Sequence, residues 1–225
     1  MIIYHHKEIG QTMNQVVDDI KQKYNTTKVT YAGRLDPLAY GLVIILTDED
    51  VHKRDEYTGK NKIYQFMMIH GIQTDTYDIM GMICSDNQFQ FDINKINVGK
   101  QIMEYPPYSS VPIKEHKNKP YWYCSLNHLE VINKPTKEIE IYEIKILDKM
   151  IKTKEEIIEI VNDKINKVKS TTFRQKDILD KWNSIEDRIY EIYKMEIKIS
   201  SGGYVRNIAD RLGGCAYDIE RMAYC

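Results

Sequence analysis

The chain has 225 residues, 42% of them hydrophobic and 29% charged, with a formal net charge of −1. That size and balance fit one globular domain with a core of its own and exclude a disordered or fibrous chain. The near-zero charge excludes a global field that recruits nucleic acid, so any hold on RNA must come from local basic patches.

Met1 to Lys7 starts like a strand and lacks the long apolar core of a secretory signal. The His5-His6 pair is not read as a metal site. Met13, Val16, Val17, Ile20 and Tyr24 recur at helical spacing, with Thr12 as the N-cap. Lys28 to Tyr31 leads into a glycine-bracketed loop, and Leu42 to Leu46 reads as a buried strand. Tyr64 to Ile69 is strand by its aromatic and apolar content. Residues Ile93 to Met103 are expected to form a short helix that Pro106-Pro107 closes off. From Glu104 to His128 cations and rings interleave, a composition suited to phosphates and unstacked bases. Glu138 to Leu147 alternates like a strand. Thr153 with Glu156 then forms a capping box, ahead of Ile157, Ile160, Val161 and Ile165 on one helical face. A second helix is expected from about Gln175 to Arg188, a strand over Ile189 to Ser200, and a short helix from Arg206 to Gly213-Gly214. Cys84, Cys124, Cys215 and Cys225 show no Cys-x-x-Cys spacing, so zinc is not indicated and reduced thiols are expected. No apolar run reaches membrane-spanning length, and an intracellular, cytoplasmic setting is expected.

The most informative stretch is Gly33-Arg34-Leu35-Asp36-Pro37-Leu38-Ala39-Tyr40-Gly41. Pro37 fixes its own φ and restricts Asp36 before it, which places one carboxylate on a stiff loop anchored to a buried strand. Downstream come Lys62-Ile63-Tyr64, Gly71, and Thr74-Asp75-Thr76 with Asp78 and Gly81. Next is Pro106-Pro107-Tyr108-Ser109-Ser110, and last Gly202-Gly203-Tyr204-Val205-Arg206. These four blocks, in this order, resemble the TruB family of RNA pseudouridine synthases. One short motif is weak; four in order are strong.

The resemblance implies an α+β pseudouridine synthase fold: a mixed, mainly antiparallel sheet with flanking helices and a catalytic cleft. It implies a single catalytic domain over residues 1–225, with no room for the extra RNA-binding (PUA) domain of many relatives. It also implies a thumb-like RNA-binding segment at about 99–128. Residues from about 152 to 189 are expected to be a helical insertion outside the core, whose cations could touch RNA. The implied reaction is isomerisation of uridine to pseudouridine in RNA, at the T-loop uridine of tRNA, without cofactor or metal. Asp36 is the implied catalytic carboxylate, either attacking covalently or removing a ribose proton. Tyr64 is the ring that stacks on the loosened base, and Arg206 the cation that pairs with Asp36. Tyr31, Arg34, Lys62, Tyr108, Ser109, Lys114, Lys119 and Tyr204 are expected to bind the RNA. The partner is the T arm of tRNA and the expected state a monomer.

The chain departs from the family pattern at Tyr31, where His is usual, Tyr40 for Thr, Gln73 for Arg and Ser201 for Lys. Each change removes charge or polarity toward RNA. Two other functions stay open on the residues: an RNA binder or folding chaperone without catalysis, and a glycosidase-like hydrolase pairing Asp36 with Asp75 or Asp78.

Overall fold

In the computed structural model, which describes residues 1–87, 90–170 and 173–225, the chain opens with β1 (Ile2–Lys7) and α1 (Met13–Tyr24). Helix α1 starts where Thr12 and Gln15 close a capping box and stops where Asn25 turns left-handed at φ 49°. Its buried Met13, Val16 and Ile20 form one stripe. β2 (Val29–Ala32) and β3 (Ala39–Thr47) flank the Asp36 loop, followed by α2 (Arg54–Thr58) and β4 (Lys62–His70). β5 (Ile72–Thr74) and β6 (Ile83–Asp86) form a separate hairpin around the Thr-Asp-Thr turn.

β7 (Gly99–Glu104) follows, where a helix over 93–103 was expected. Only a single 3-10 turn forms there, at Ile93–Lys95. Ile93, Ile96 and Met103 imitate a helical face in sequence. Gly99 at φ 111° breaks it, and the residues after Gly99 find ladder partners at 136–141. The thumb-like segment continues through β8 (Pro112–Ile113), β9 (Lys119–Pro120) and α3 (Tyr121–Leu126), around a small cluster of Ile113, Tyr121 and Cys124. Then come β10 (Thr136–Lys152), α4 (Lys154–Asn166), α5 (Gln175–Asn183), β11 (Tyr190–Ile199), α6 (Val205–Arg211) and β12 (Gly214–Tyr224). α5 ends at Asn183, short of the expected Arg188.

The main sheet runs β1-β3-β12-β4-β11-β10-β7, with β2 also paired to β3. β12 is parallel to β3 and every other pairing in it is antiparallel. Side chains alternate between its faces. Tyr64, Phe66 and Met68 of β4 join Tyr193, Met195 and Ile197 of β11 in a core shared with α1 and α6. Residues of the opposite parity on the same strands, Ile69, Tyr190 and Ile192, join a second core with Ile157, Val161, Ile165, Ile178 and Trp182. The helical segment expected to lie outside the core therefore covers the second face of the sheet. Without α4 and α5 that apolar face would meet water. Among the described residues, no helix is long and apolar enough to cross a membrane.

Candidate active site

The Asp36 loop is held from behind by buried cations. Lys7, at the end of β1, is 0% exposed, and its Nζ donates to the carbonyls of Pro37 (3.1 Å) and Ala39 (2.6 Å). Burial pushes this ammonium down to about 8, while the Asp36 charge pulls the other way. Buried Arg221 of β12 donates from Nε to Leu42 O (2.6 Å) and from Nη2 to Gly33 O (3.1 Å), and Tyr224 donates its hydroxyl to Ala32 O. Gly41, at φ 102°, lies so close to β12 that a Cβ would stand 2.5 Å from the Arg221 carbonyl. With its carbonyls captured from the core side, the loop presents the Asp36 carboxylate outward, its side chain 30% exposed.

Arg206 meets that carboxylate from α6. Its side chain is 3% exposed, with Nε 2.8 Å from Asp36 Oδ2 and 3.6 Å from Asp78 Oδ2. Nη1 donates to Thr76 O at 2.6 Å. The sequence places Arg206 in the first turn of α6, where the helix dipole disfavours a cation. Two carboxylates and a carbonyl answer that charge. Burial opposes the guanidinium charge, but Asp36 and then Asp78 outweigh it and raise its pKa. Asp78 in turn accepts from Thr76 Oγ1 (2.7 Å) and the Met80 amide (3.0 Å). Burial lifts its carboxyl to about 6 against the pull of Arg206. A buried cation held between two acids fixes geometry more than it adds stability.

Rings surround the pair. Tyr204 lies with its ring 5.9 Å from the Arg206 guanidinium and 5.6 Å from the edge-on Tyr105 ring. Its phenol is pushed up to about 12 by burial and then by the Asp36 charge. Tyr64 is 8% exposed and packs in the cluster that contains Leu35 and Val205, the sequence neighbours of Asp36 and Arg206. The cavity that Asp36 and Asp78 line with Leu38, Tyr217 and Asp218 is about 10 Å³. That is at most one water, so a nucleotide can reach Asp36 only from its exposed side.

The residues expected to bind RNA divide into two groups. Tyr31 is half-buried, and its hydroxyl accepts from exposed Arg34 at 2.7 Å. Lys114 and Lys119 are exposed on the thumb-like segment, Lys119 lying 5.0 Å over the Tyr123 ring. Tyr108 is half-buried and donates to Asp75 Oδ2 at 3.1 Å. Lys62 and Ser109 correct the expectation. Lys62 is buried, with Nζ 2.6 Å from the carbonyls of both Thr58 and Lys60, because alternation along β4 turns it inward. Ser109 is buried at the turn after Pro106, its hydroxyl without a partner among the described residues. The cations of the helical segment are largely engaged within the fold: Lys164 with Asp218, Lys167 with Asp163, and Arg174 with Asp75. Three departures from the family pattern are likewise turned inward. Tyr40 donates to Asp218 (3.0 Å), Gln73 to Asp210 (2.9 Å) and Ser201 to Thr58 O (2.7 Å).

Sequence reasoning missed Lys7 and Arg221, and it read Asp78 only as part of a motif or as a hydrolase acid. A lysine closing a strand and an arginine in the last one look like solvent-facing charges. Only the carbonyls gathered beneath the loop show otherwise.

Residues 21–164 match the family model described as TruB family pseudouridylate synthase (N terminal domain). Among curated proteins, the tRNA pseudouridine synthase B of Mesoplasma florum is 34% identical over 142 residues, 59% of this chain and 49% of that protein. The tRNA pseudouridine synthase B of Mycoplasma capricolum is 29% identical over 195 residues, 87% of this chain and 56% of that protein. A solved Cbf5-Nop10-Gar1 complex contains a chain similar in fold, with TM-score 0.55 at 15% identity over 99% of this chain and 48% of that one. An H/ACA RNP bound to a substrate RNA containing 2'-deoxyuridine gives TM-score 0.52 at 15% identity, over 99% of this chain and 47% of that one. The chain spans about half the length of the curated relatives it matches.

Proposed function

The chain belongs to the TruB family of pseudouridylate synthases, and from that premise we propose that it converts the T-loop uridine of tRNA to pseudouridine. The observation that carries the reading is the Asp36–Arg206 pair, a partly exposed carboxylate aimed by a buried guanidinium 2.8 Å away. A uridine flipped from its stack, at a cost of a few kcal/mol, presents its ribose and base to Asp36. The C1′–N1 bond breaks, the base turns, and a C1′–C5 bond forms. C5 gives up its proton and N1 takes one, so the product is an isomer of the substrate. Asp36 carries the covalent or proton-abstracting step at the nucleotide. Tyr64 stacks on the freed base. Arg206, with its five donors in a fixed plane, keeps Asp36 pointed. The thumb-like segment, with Lys114 and Lys119, grips the RNA.

The other two readings find less support. A second acid for glycoside hydrolysis would have to face the cleft. Asp78 is buried and holds Arg206, and Asp75 is engaged by Arg174, Tyr108 and Met82. A binder without catalysis has no use for a carboxylate held this rigidly.

Transfer RNA transcript tritiated at uridine C5 decides the matter. Wild type should release tritium and leave the RNA chain intact, whereas a hydrolase would free uracil and a binder would release nothing. Asp36→Asn should lower release by about a thousandfold or more while keeping most RNA affinity. Substantial turnover by that variant would refute the role given to Asp36.

A further inference from the structure

Arg174 leaves the helical segment in a costly posture. It sits at φ 53°, in the left-handed region, at the start of α5, and gives that helix no side-chain cap. From there its guanidinium reaches Asp75 and Tyr108. Nη2 donates to Asp75 Oδ2 at 2.9 Å, and the guanidinium carbon lies 4.9 Å from the centre of the Tyr108 ring. The Tyr108 hydroxyl donates to the same Asp75 oxygen at 3.1 Å, and the Met82 amide donates to the other at 2.8 Å. Three stretches distant in sequence thus converge on one carboxylate: the helical segment, the Thr-Asp-Thr turn and the base of the thumb-like segment. The side chains of Arg174 and Asp75 are 24% and 25% exposed, so the pair is partly shielded from water. Asp75 is also the neighbour of Thr76 in the turn that holds Arg206. A Cβ on Gly81 would stand 2.7 Å from Asp75 Oδ1 and 2.4 Å from Thr76 Oγ1, and the Thr76 carbonyl holds Arg206.

We propose that Arg174 is a positioning residue of the RNA cleft: through Asp75 and the Tyr108 ring it fixes the thumb-like segment against the turn that holds Arg206. One ring face and one carboxylate already occupy the guanidinium, and the Asp75 charge beside it repels phosphate. Its role is therefore to hold Tyr108 rather than to touch the RNA backbone. The RNA readout of this inference rests on the proposed function; its exchange readout does not.

The test uses Arg174→Gln in the full chain, with Arg174→Lys as a second variant that keeps the charge but not the planar stack. In the free protein, the amides of Tyr121 and Trp122, which donate to Val111 O and Ser109 O, should exchange about tenfold faster in Arg174→Gln, with α1 unchanged. The dissociation constant for a T-arm RNA should rise about fivefold, with Arg174→Lys between wild type and Arg174→Gln. The slope of log affinity against log salt should stay the same, because no phosphate contact is lost. Tyr108→Phe combined with Arg174→Gln should lose less than the sum of the two single effects. Unchanged exchange in Arg174→Gln overturns the inference whatever the RNA results. A salt slope shallower by about one overturns it too, since that marks a direct phosphate contact. A wild type that neither binds RNA nor releases tritium refutes the proposed function instead, and the exchange result still decides this one.

Discussion

Lys7 shows how one buried side chain sets the shape of a reactive loop. Its ammonium serves the carbonyls of Pro37 and Ala39, both just after Asp36 on the segment that carries it forward. Because burial holds its pKa near 8, against about 10.4 for a solvated lysine, the folded protein releases this proton first as pH rises. Between about pH 8 and 10 the unfolded chain binds more protons at this position, so this group adds stability as pH climbs through that window. The melting temperature of wild type should therefore gain on that of Lys7→Met from pH 7 to pH 10, a comparison in which the other titrating groups cancel. A constant gap across that range would show that Lys7 does not titrate there. At this scale the sequence was legible where residue type and motif order coincide. Asp36 and Arg206 stand in blocks whose succession is informative, and the structure brings them within 2.8 Å. Lys62 misled, because a lysine beside a motif tyrosine looks like a phosphate ligand until the strand's alternation turns it inward.

Capping chemistry is local, and the elements that depend on it were legible. Thr12 with Gln15 and Thr153 with Glu156 begin α1 and α4 where side chain and backbone close reciprocal bonds. The stretch 93–103 was not legible in this way. Its apolar spacing fits a helix, and only the partner strand at 136–141 decides for β7. The apolar face of α4 was legible, but its spacing does not say what it packs against, and the segment was expected to lie outside the core. Ile157, Val161, Ile165, Ile178 and Trp182 turn out to seal the sheet face carrying Ile69, Tyr190 and Ile192. Ile157→Ala should accordingly cost about 2–5 kcal/mol, read from the denaturant midpoint. Replacing residues 154–183 by a short linker should abolish the cooperative melt seen by circular dichroism. A deletion variant that melts cooperatively near the wild-type temperature would show the helical segment to be dispensable.

The whole molecule carries a net charge of −1, so under the proposed function its hold on RNA would rest on local exposed cations. Arg34, Lys114, Lys117 and Lys119 are exposed on the loop and the thumb-like segment, whereas Lys7, Lys62, Arg206 and Arg221 are sealed inside. With about four phosphate contacts, log affinity should fall with log salt at a slope of about −3, measurable by filter binding over a salt series. A slope near zero would place the RNA elsewhere. The order of strands was the part of the fold least legible in the sequence, since ladder partners are chosen by contacts remote along the chain. β12, the last strand in sequence, is also the middle of the assembly: it lies between β3 and β4, parallel to one and antiparallel to the other. A growing chain that has not yet reached residue 214 therefore holds two unjoined half-sheets, with Asp36 on one and Tyr64 on the other. The loop around Asp36 is completed only when Arg221 and Tyr224 arrive to pin carbonyls made almost two hundred residues earlier.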